Sequence, residues 1–256
     1  MMSNTKNPVE KQVRRIIRAA AIASLLTMTL VPVYGDITEE ERIGMEDLYN
    51  GIKTAGPGGY KTANYYLINN RQEWLKKLSI NYFHSRSPEG IRVYYDDATP
   101  EYCQIESSTF ADIGDFVKKE EEYEAKINEL VSMAEEKTKE EKIRFFHDYL
   151  VNTCTYDMTF SHSRPYDCLI GGASTCNGYS IAFYNLCTAA GIEVEYIAGG
   201  TFTNNNPAAH SWNRVKLDDD NWYYIDVTWD DCIGSDQYYM IPEEVMNQDH
   251  IPNMYL

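Results

Sequence analysis

The sequence predicts an α+β fold whose later part is a helix packed on an antiparallel sheet. Three observations carry this. Apolar residues recur at spacings of three and four from Asp115 and again from Thr138, the period of amphipathic helices. A further helical pattern opens at Cys176 and closes at Gly191. Two alternating segments around Trp212 and Tyr224, joined by Asp218-Asp219-Asp220, read as paired strands. Ahead of them lies a mostly helical front region with short strands.

The chain has 256 residues, 43% hydrophobic, with no short period, a globular composition that suits one or two domains. Residues 1–35 read differently. Lys6, Lys11, Arg14, Arg15 and Arg18 precede an apolar run from Ala19 to Val33 that ends in small residues before Asp36. That is a signal-peptide layout. An uncleaved membrane anchor is the alternative, against which the run is short and contains Pro32. The expected organisation is a signal peptide at 1–35, a front region at 36–110, and a core domain at 111–256. A secreted or extracellular protein follows, with cell-surface association open.

Removing residues 1–35 leaves 18 of 23 basic and 38 of 39 acidic side chains, a net charge of −20. An acidic surface repels phosphate backbones and anionic lipid heads, which argues against a nucleic-acid partner and against a membrane-surface one. No later apolar run reaches the roughly 18 residues of a spanning helix, so no stable membrane insertion is expected after cleavage. Cationic or neutral substrates are easier to accommodate, although solubility alone explains the charge equally well.

All six cysteines (Cys103, Cys154, Cys168, Cys176, Cys187, Cys232) follow residue 35, and export permits disulfides. None forms a CxxC pair and the five histidines are scattered, so neither metal nor cofactor is expected. A Cys168–Cys232 bridge is one hypothesis, two reduced core thiols the other.

In order along the chain, Ile37 to Tyr49 suits a first helix ended by Gly51, and Ala55 to Gly59 a loop. Asn69 to Leu78 reads as a short helix; Ile91 to Tyr95 and Tyr102 to Ile105 read as strands. From Asp115, Phe116, Tyr123, Ile127, Leu130, Val131 and Ala134 form one helical face. Thr138 and Glu141 have capping-box spacing, and Ile143, Phe146, Leu150 and Val151 follow as a buried stripe. His147 lies on that stripe and reads as a satisfied core histidine rather than a ligand.

The block Gly171-Gly172-Ala173-Ser174-Thr175-Cys176-Asn177-Gly178-Tyr179 opens the central helix. Ser174 or Thr175 suits the N-cap, which sets Cys176 in the first turn. A thiol there meets the positive end of the helix dipole, and both the dipole and nearby N–H groups favour thiolate. Cys187, at the opposite end, reads as packing. A cysteine nucleophile needs an imidazole and the imidazole an orienting acceptor. After a strand from Ile192 to Ile197 and a loop from Gly199 to Pro207, His210 lies on a strand spanning 209–217 and Asp226 on one spanning 221–229. The two share a sheet face only if paired residue numbers sum to an even value. A three-residue loop at Asp218 to Asp220 does this, setting Trp212 opposite Asp226 with His210 diagonal to the carboxylate.

The set STCNGYS, AHSWNRV and WYYIDVTWDD, preceded by FHDYLVNTCTYD, resembles the transglutaminase-like superfamily, specifically its secreted bacterial branch, over about residues 140 to 235. The resemblance implies a papain-like core in which Cys176 attacks an amide carbonyl, His210 is base and acid, and Asp226 orients His210. Asn177 and Gly178 stand where animal cross-linking enzymes have Trp after the nucleophile, which departs from cross-linking specificity and its calcium dependence. Tyr156 and Asn177 are candidate oxyanion donors. Trp212, Trp229, Tyr179 and Tyr238-Tyr239 are candidates for lining a cleft, or for core packing. The expected function is a secreted thiol hydrolase acting on amide bonds of peptides, proteins or cell-wall peptides. The alternatives are acyl transfer that cross-links proteins or amines, and a non-catalytic cell-surface binding module.

Overall fold

The computed structural model describes residues 46, 49–51, 60–62, 77, 79–85, 91–95, 103–107, 113–203 and 206–252. The expected leader and the loop at 55–59 lie outside these residues, as do most of the first helix and of the helix at 69–78. The chain divides into two compact units, one spanning Asp36–Ala125 and one containing Lys126–Leu256.

In the first unit β1 (Tyr60–Thr62), β2 (Ile91–Tyr95) and β3 (Cys103–Ser107) form an antiparallel sheet in the order β1-β3-β2. Helix α1 (Ile113–Met133) begins here and runs into the second unit. Phe116 and Tyr123 are buried on its inner face, and Tyr49 and Phe83 pack around Phe116. Glu120 is fully buried with its acceptors filled by the His84 and Ser85 backbone N–H groups and by His84 Nδ1.

The second unit carries the predicted helix-on-sheet core. Helix α2 (Lys139–Thr153) starts at a reciprocal box: Thr138 Oγ1 accepts from Glu141 N and Glu141 Oε2 accepts from Thr138 N. Thr138→Ala is expected to lower stability by about 1 kcal/mol, a fall in Tm of roughly 2–4 °C in a thermal melt. Strand β4 (Thr155–Tyr156), α3 (Pro165–Leu169) and β5 (Ala173–Ser174) lead to the central helix α4 (Cys176–Ala189). Helix α4 is apolar nearly all round and buries Tyr179, Ile181, Ala182, Phe183, Leu186 and Cys187, as a helix inside a core must. Gly191 follows with φ +72°, the left-handed stop expected of glycine there.

The sheet has the order β8-β7-β6-β9, all antiparallel, from β6 (Val194–Thr203), β7 (Asn206–Lys216), β8 (Trp222–Ile225) and β9 (His250–Pro252). Two elements correct the sequence reading. The segment from Gly199, expected as a loop, continues as strand to Thr203. Gly199 is glycine because a Cβ there would meet Ile251 O at 2.2 Å and the Trp212 ring at 2.8 Å; two neighbours approach closely, and no turn is made. The strand expected to run to Trp229 stops at Ile225. Asp226 caps a new helix, α5 (Val227–Ile233), its side chain accepting from Trp229 N. Gly234, with φ +67°, ends that helix, and α6 (Glu243–Met246) precedes β9.

Candidate active site

The β7–β8 register is what the parity argument requires. Asn213 pairs with Ile225 and Lys216 with Trp222, and the pairing closes with Leu217 N donating to Asn221 O around Asp218 to Asp220. Asp220 has φ +62°, the left-handed residue that ends a three-residue hairpin. Even-numbered residues of both strands therefore share a face, and His210 Nε2 lies 2.6 Å from Asp226 Oδ2.

Helix α4 brings in the thiol. Ser180 Oγ donates to Ser211 O (2.8 Å) and Asn213 Nδ2 donates to Ser180 O (3.1 Å), fastening the first half of α4 to β7. Cys176 is thereby set within reach of His210 and Ser211. With Nε2 on Asp226, Nδ1 is the His210 nitrogen left for the thiol. Burial opposes the Cys176 thiolate, but the charge and hydrogen bonding of His210, together with Ser211, outweigh it and hold the thiol below its ordinary pKa. For His210, burial favours the neutral ring, and Asp226 and Cys176 reverse this, raising it to about 10. Asp226 is fully buried, which disfavours its charge, yet His210 and then His250 keep it far below the usual carboxylate range. A thiolate, an imidazolium and a carboxylate thus support one another in a site where water is largely excluded.

Thr175 is the N-cap of α4, but its hydroxyl makes no capping bond. The first-turn N–H groups around Cys176 therefore lack a side-chain cap. Tyr156 is carried to this end by the parallel β4–β5 pair, opposite Ser174. Burial, then the nearby Cys176, raises its phenol above the ordinary value, so it keeps its hydrogen beside the thiol. Asn177 is committed elsewhere: Nδ2 donates to Ser163 O and Oδ1 accepts from Tyr196 OH. Trp212 is fully buried and stacks near His210, ring centroids 6.0 Å apart, and Trp229 lies 5.7 Å away. Both wall the imidazole within the core. Tyr179, too, is buried, its hydroxyl on Asp231.

His147 is the satisfied core histidine the sequence suggested. Its nitrogens meet Asp148 (2.8 Å) and the buried Asp230 (3.1 Å), joining α2 to α5. Among the described residues, Cys154, Cys168, Cys176, Cys187 and Cys232 are free thiols, which corrects the Cys168–Cys232 bridge; Cys168 instead lies against Cys154. Burial raises the Cys187 thiol, in keeping with packing. Two groups of donors cluster as a metal site would, His210 with Asp226 and His250, and His147 with Asp230 and Asp236. The first is consumed by hydrogen bonds among its members, and Arg144 occupies Asp236 in the second.

The residue that sequence reasoning missed is His250, whose Nε2 lies 3.0 Å from the same Asp226 oxygen that His210 uses. Its only sequence signal is the acidic neighbour Asp249, too common to single out.

Residues 125–227 match the family model of the transglutaminase-like superfamily. No curated protein matches the sequence. Among solved structures the chain is similar to a candidate cysteine protease from Cytophaga hutchinsonii (20% identity, TM-score 0.33, 43% of this chain and 34% of that one). It is also similar to a TGase (15%, 0.36, 50% and 40%) and to the periplasmic domain of TgpA from Pseudomonas aeruginosa (16%, 0.36, 50% and 54%). The matched region thus spans about a third to a half of those chains. No helix among the described residues is long and apolar enough to cross a membrane.

Proposed function

We propose that the protein is a secreted thiol hydrolase that cleaves amide bonds in peptides or proteins, cell-wall peptides included, a reading supported by the match of residues 125–227 to the transglutaminase-like family model. Cys176 is the nucleophile, His210 the base and acid, and Asp226 the orienting carboxylate. The Cys176 thiolate attacks the amide carbonyl, and His210 passes a proton to the leaving amine as the acyl-thioester forms. Water, deprotonated by His210, then releases the acid and the thiol. The first-turn N–H groups of α4 and the Tyr156 hydroxyl stabilise the oxyanion. The supporting observation is the 2.6 Å His210–Asp226 contact on a face that the even-sum register makes common to both, with Cys176 held below its ordinary pKa beside it.

The test is the pH dependence of alkylation at each cysteine, read by mass spectrometry, in the wild type and His210→Ala. Cys176 is expected to react well below the roughly 8.5 of a free thiol and to lose that advantage in the variant. Cys154, lowered through contact with Cys168 rather than His210, is the internal control and keeps its behaviour. An ordinary thiol at Cys176 in both proteins would overturn the hydrolase in favour of a binding module.

A further inference from the structure

Asp226 serves two imidazoles through one oxygen. Oδ2 lies 2.6 Å from His210 Nε2 and 3.0 Å from His250 Nε2, while Oδ1 accepts from Trp229 N. His250 is fully buried, and its second nitrogen, Nδ1, lies 2.7 Å from Asp249 Oδ1. Asp249 is itself held, its Oδ2 accepting from the Tyr238 hydroxyl at 2.6 Å. His250 thus bridges two carboxylates, one at each ring nitrogen.

Its packing neighbours are uncharged. The Trp229 ring lies 4.4 Å from His250, Trp212 4.9 Å and Tyr238 5.4 Å, and Thr201 of β6 is its strand partner. The charged groups facing it are Asp226 on α5's cap, Asp249 on its own segment and His210 on β7, at a ring separation of 5.5 Å. Asp230, beyond them, is occupied by His147 and by Tyr238 N.

We propose that His250 is a positioning residue for the Cys176–His210 pair, anchoring Asp226 through the shared oxygen and dividing its negative charge between two rings. A proton shuttle must release its proton as readily as it takes it. A buried carboxylate facing one imidazole alone would hold that proton too tightly, whereas a second ring N–H on the same oxygen weakens the hold and keeps the carboxylate in place. Strand β9 thereby becomes part of the site: it borders β6, and His250 enters from it. The proposal rests on the Cys176–His210–Asp226 reading above.

Two measurements test it. In the wild-type protein, nitrogen NMR of the histidine rings is expected to show a hydrogen on His250 Nε2 engaged by Asp226; an Nε2 without a hydrogen would overturn the proposal. In His250→Gln, which keeps a neutral donor, and His250→Leu, which keeps none, the pH at which the His210 nitrogen signals titrate is expected to move up by about one unit or more as Asp226 acts on His210 alone. The move is larger in H250L than in H250Q. A His210 titration that stays in place or moves down in folded H250L assigns His250 to packing and sinks the proposal. Should neither variant fold, the wild-type nitrogen signals decide. If wild-type Cys176 alkylates as an ordinary thiol, the hydrolase reading fails, and the His250 signals still report independently on its bond to Asp226.

Discussion

Asp226→Asn is expected to lower the alkylation rate of Cys176 at pH 6 by about two orders of magnitude, because a free thiol with a pKa near 8.5 is only roughly 0.3% thiolate there. The carboxylate has three donors to satisfy: His210 and His250 on Oδ2, and Trp229 N on Oδ1. An amide offers one oxygen. If that oxygen caps α5, the NH₂ group faces His210 Nε2 and requires it to accept, which moves the ring hydrogen to the nitrogen facing Cys176 and removes the base. If it faces the imidazoles, the NH₂ group opposes Trp229 N–H and α5 loses its cap. Stability changes with a definite sign as well. His210 is raised to about 10 from an ordinary 6.5, so its contribution is fully present below pH 6.5 and is lost as pH rises toward 10. Asp226 is depressed, so its contribution is present above the ordinary carboxylate value near 4 and is lost in acid. Thermal melts of the wild type should therefore decline on both sides, and Asp226→Asn should flatten both declines. A variant whose melts keep the wild-type pH dependence, or whose Cys176 stays fast at pH 6, would remove Asp226 from the charge network.

What the sequence disclosed follows from which interactions are local. The capping box at Thr138, the glycine stop at Gly191 and the first-turn place of Cys176 each depend on residues within four positions, and each is found as read. Register was legible for a less local reason: a strand has period two, so an odd or even number of turn residues, absent a bulge, decides whether His210 and Asp226 share a face. The failures are tertiary. Gly199 looks like loop punctuation, yet it is glycine because β9 and Trp212 crowd it, and β9 lies some fifty residues further along the chain. Val227-Thr228-Trp229 has strand composition, but the Asp226 cap and the buried faces of Val227 and Trp229 make it helix. His250 carries no local pattern; only the folding of β9 against β6 brings it to Asp226.

Gly178→Ala is expected to destabilise the protein by about 1–3 kcal/mol and to slow Cys176 alkylation together with it, although alanine is intrinsically the better helix residue by about 1 kcal/mol. Close packing decides the sign. A Cβ at 178 would lie 1.9 Å from Ser174 Oγ, 2.8 Å from Ser174 Cβ and 2.7 Å from the backbone oxygen of Arg164. The hydroxyl can rotate away, giving up its contacts with His162 O and Arg164 O. The Arg164 carbonyl cannot, because it accepts from Cys168 N as α3 begins. The first turn of α4 must therefore back off, and Cys176, two residues before Gly178, moves with it. Displacing a reacting atom by about 1 Å is enough to cost on the order of a hundredfold in rate. Glycine after Cys-Asn thus has a steric reason within this fold: it lets the helix that carries the thiol seat against β5 and α3. The double variant Ser174→Gly with Gly178→Ala separates the two contacts, since it removes the side-chain clash and leaves the backbone one. Partial recovery of Tm with Cys176 still slow is the expected result; full recovery of both would place the constraint on Ser174 alone, and an unchanged melt in the single variant would show that the helix seats without it.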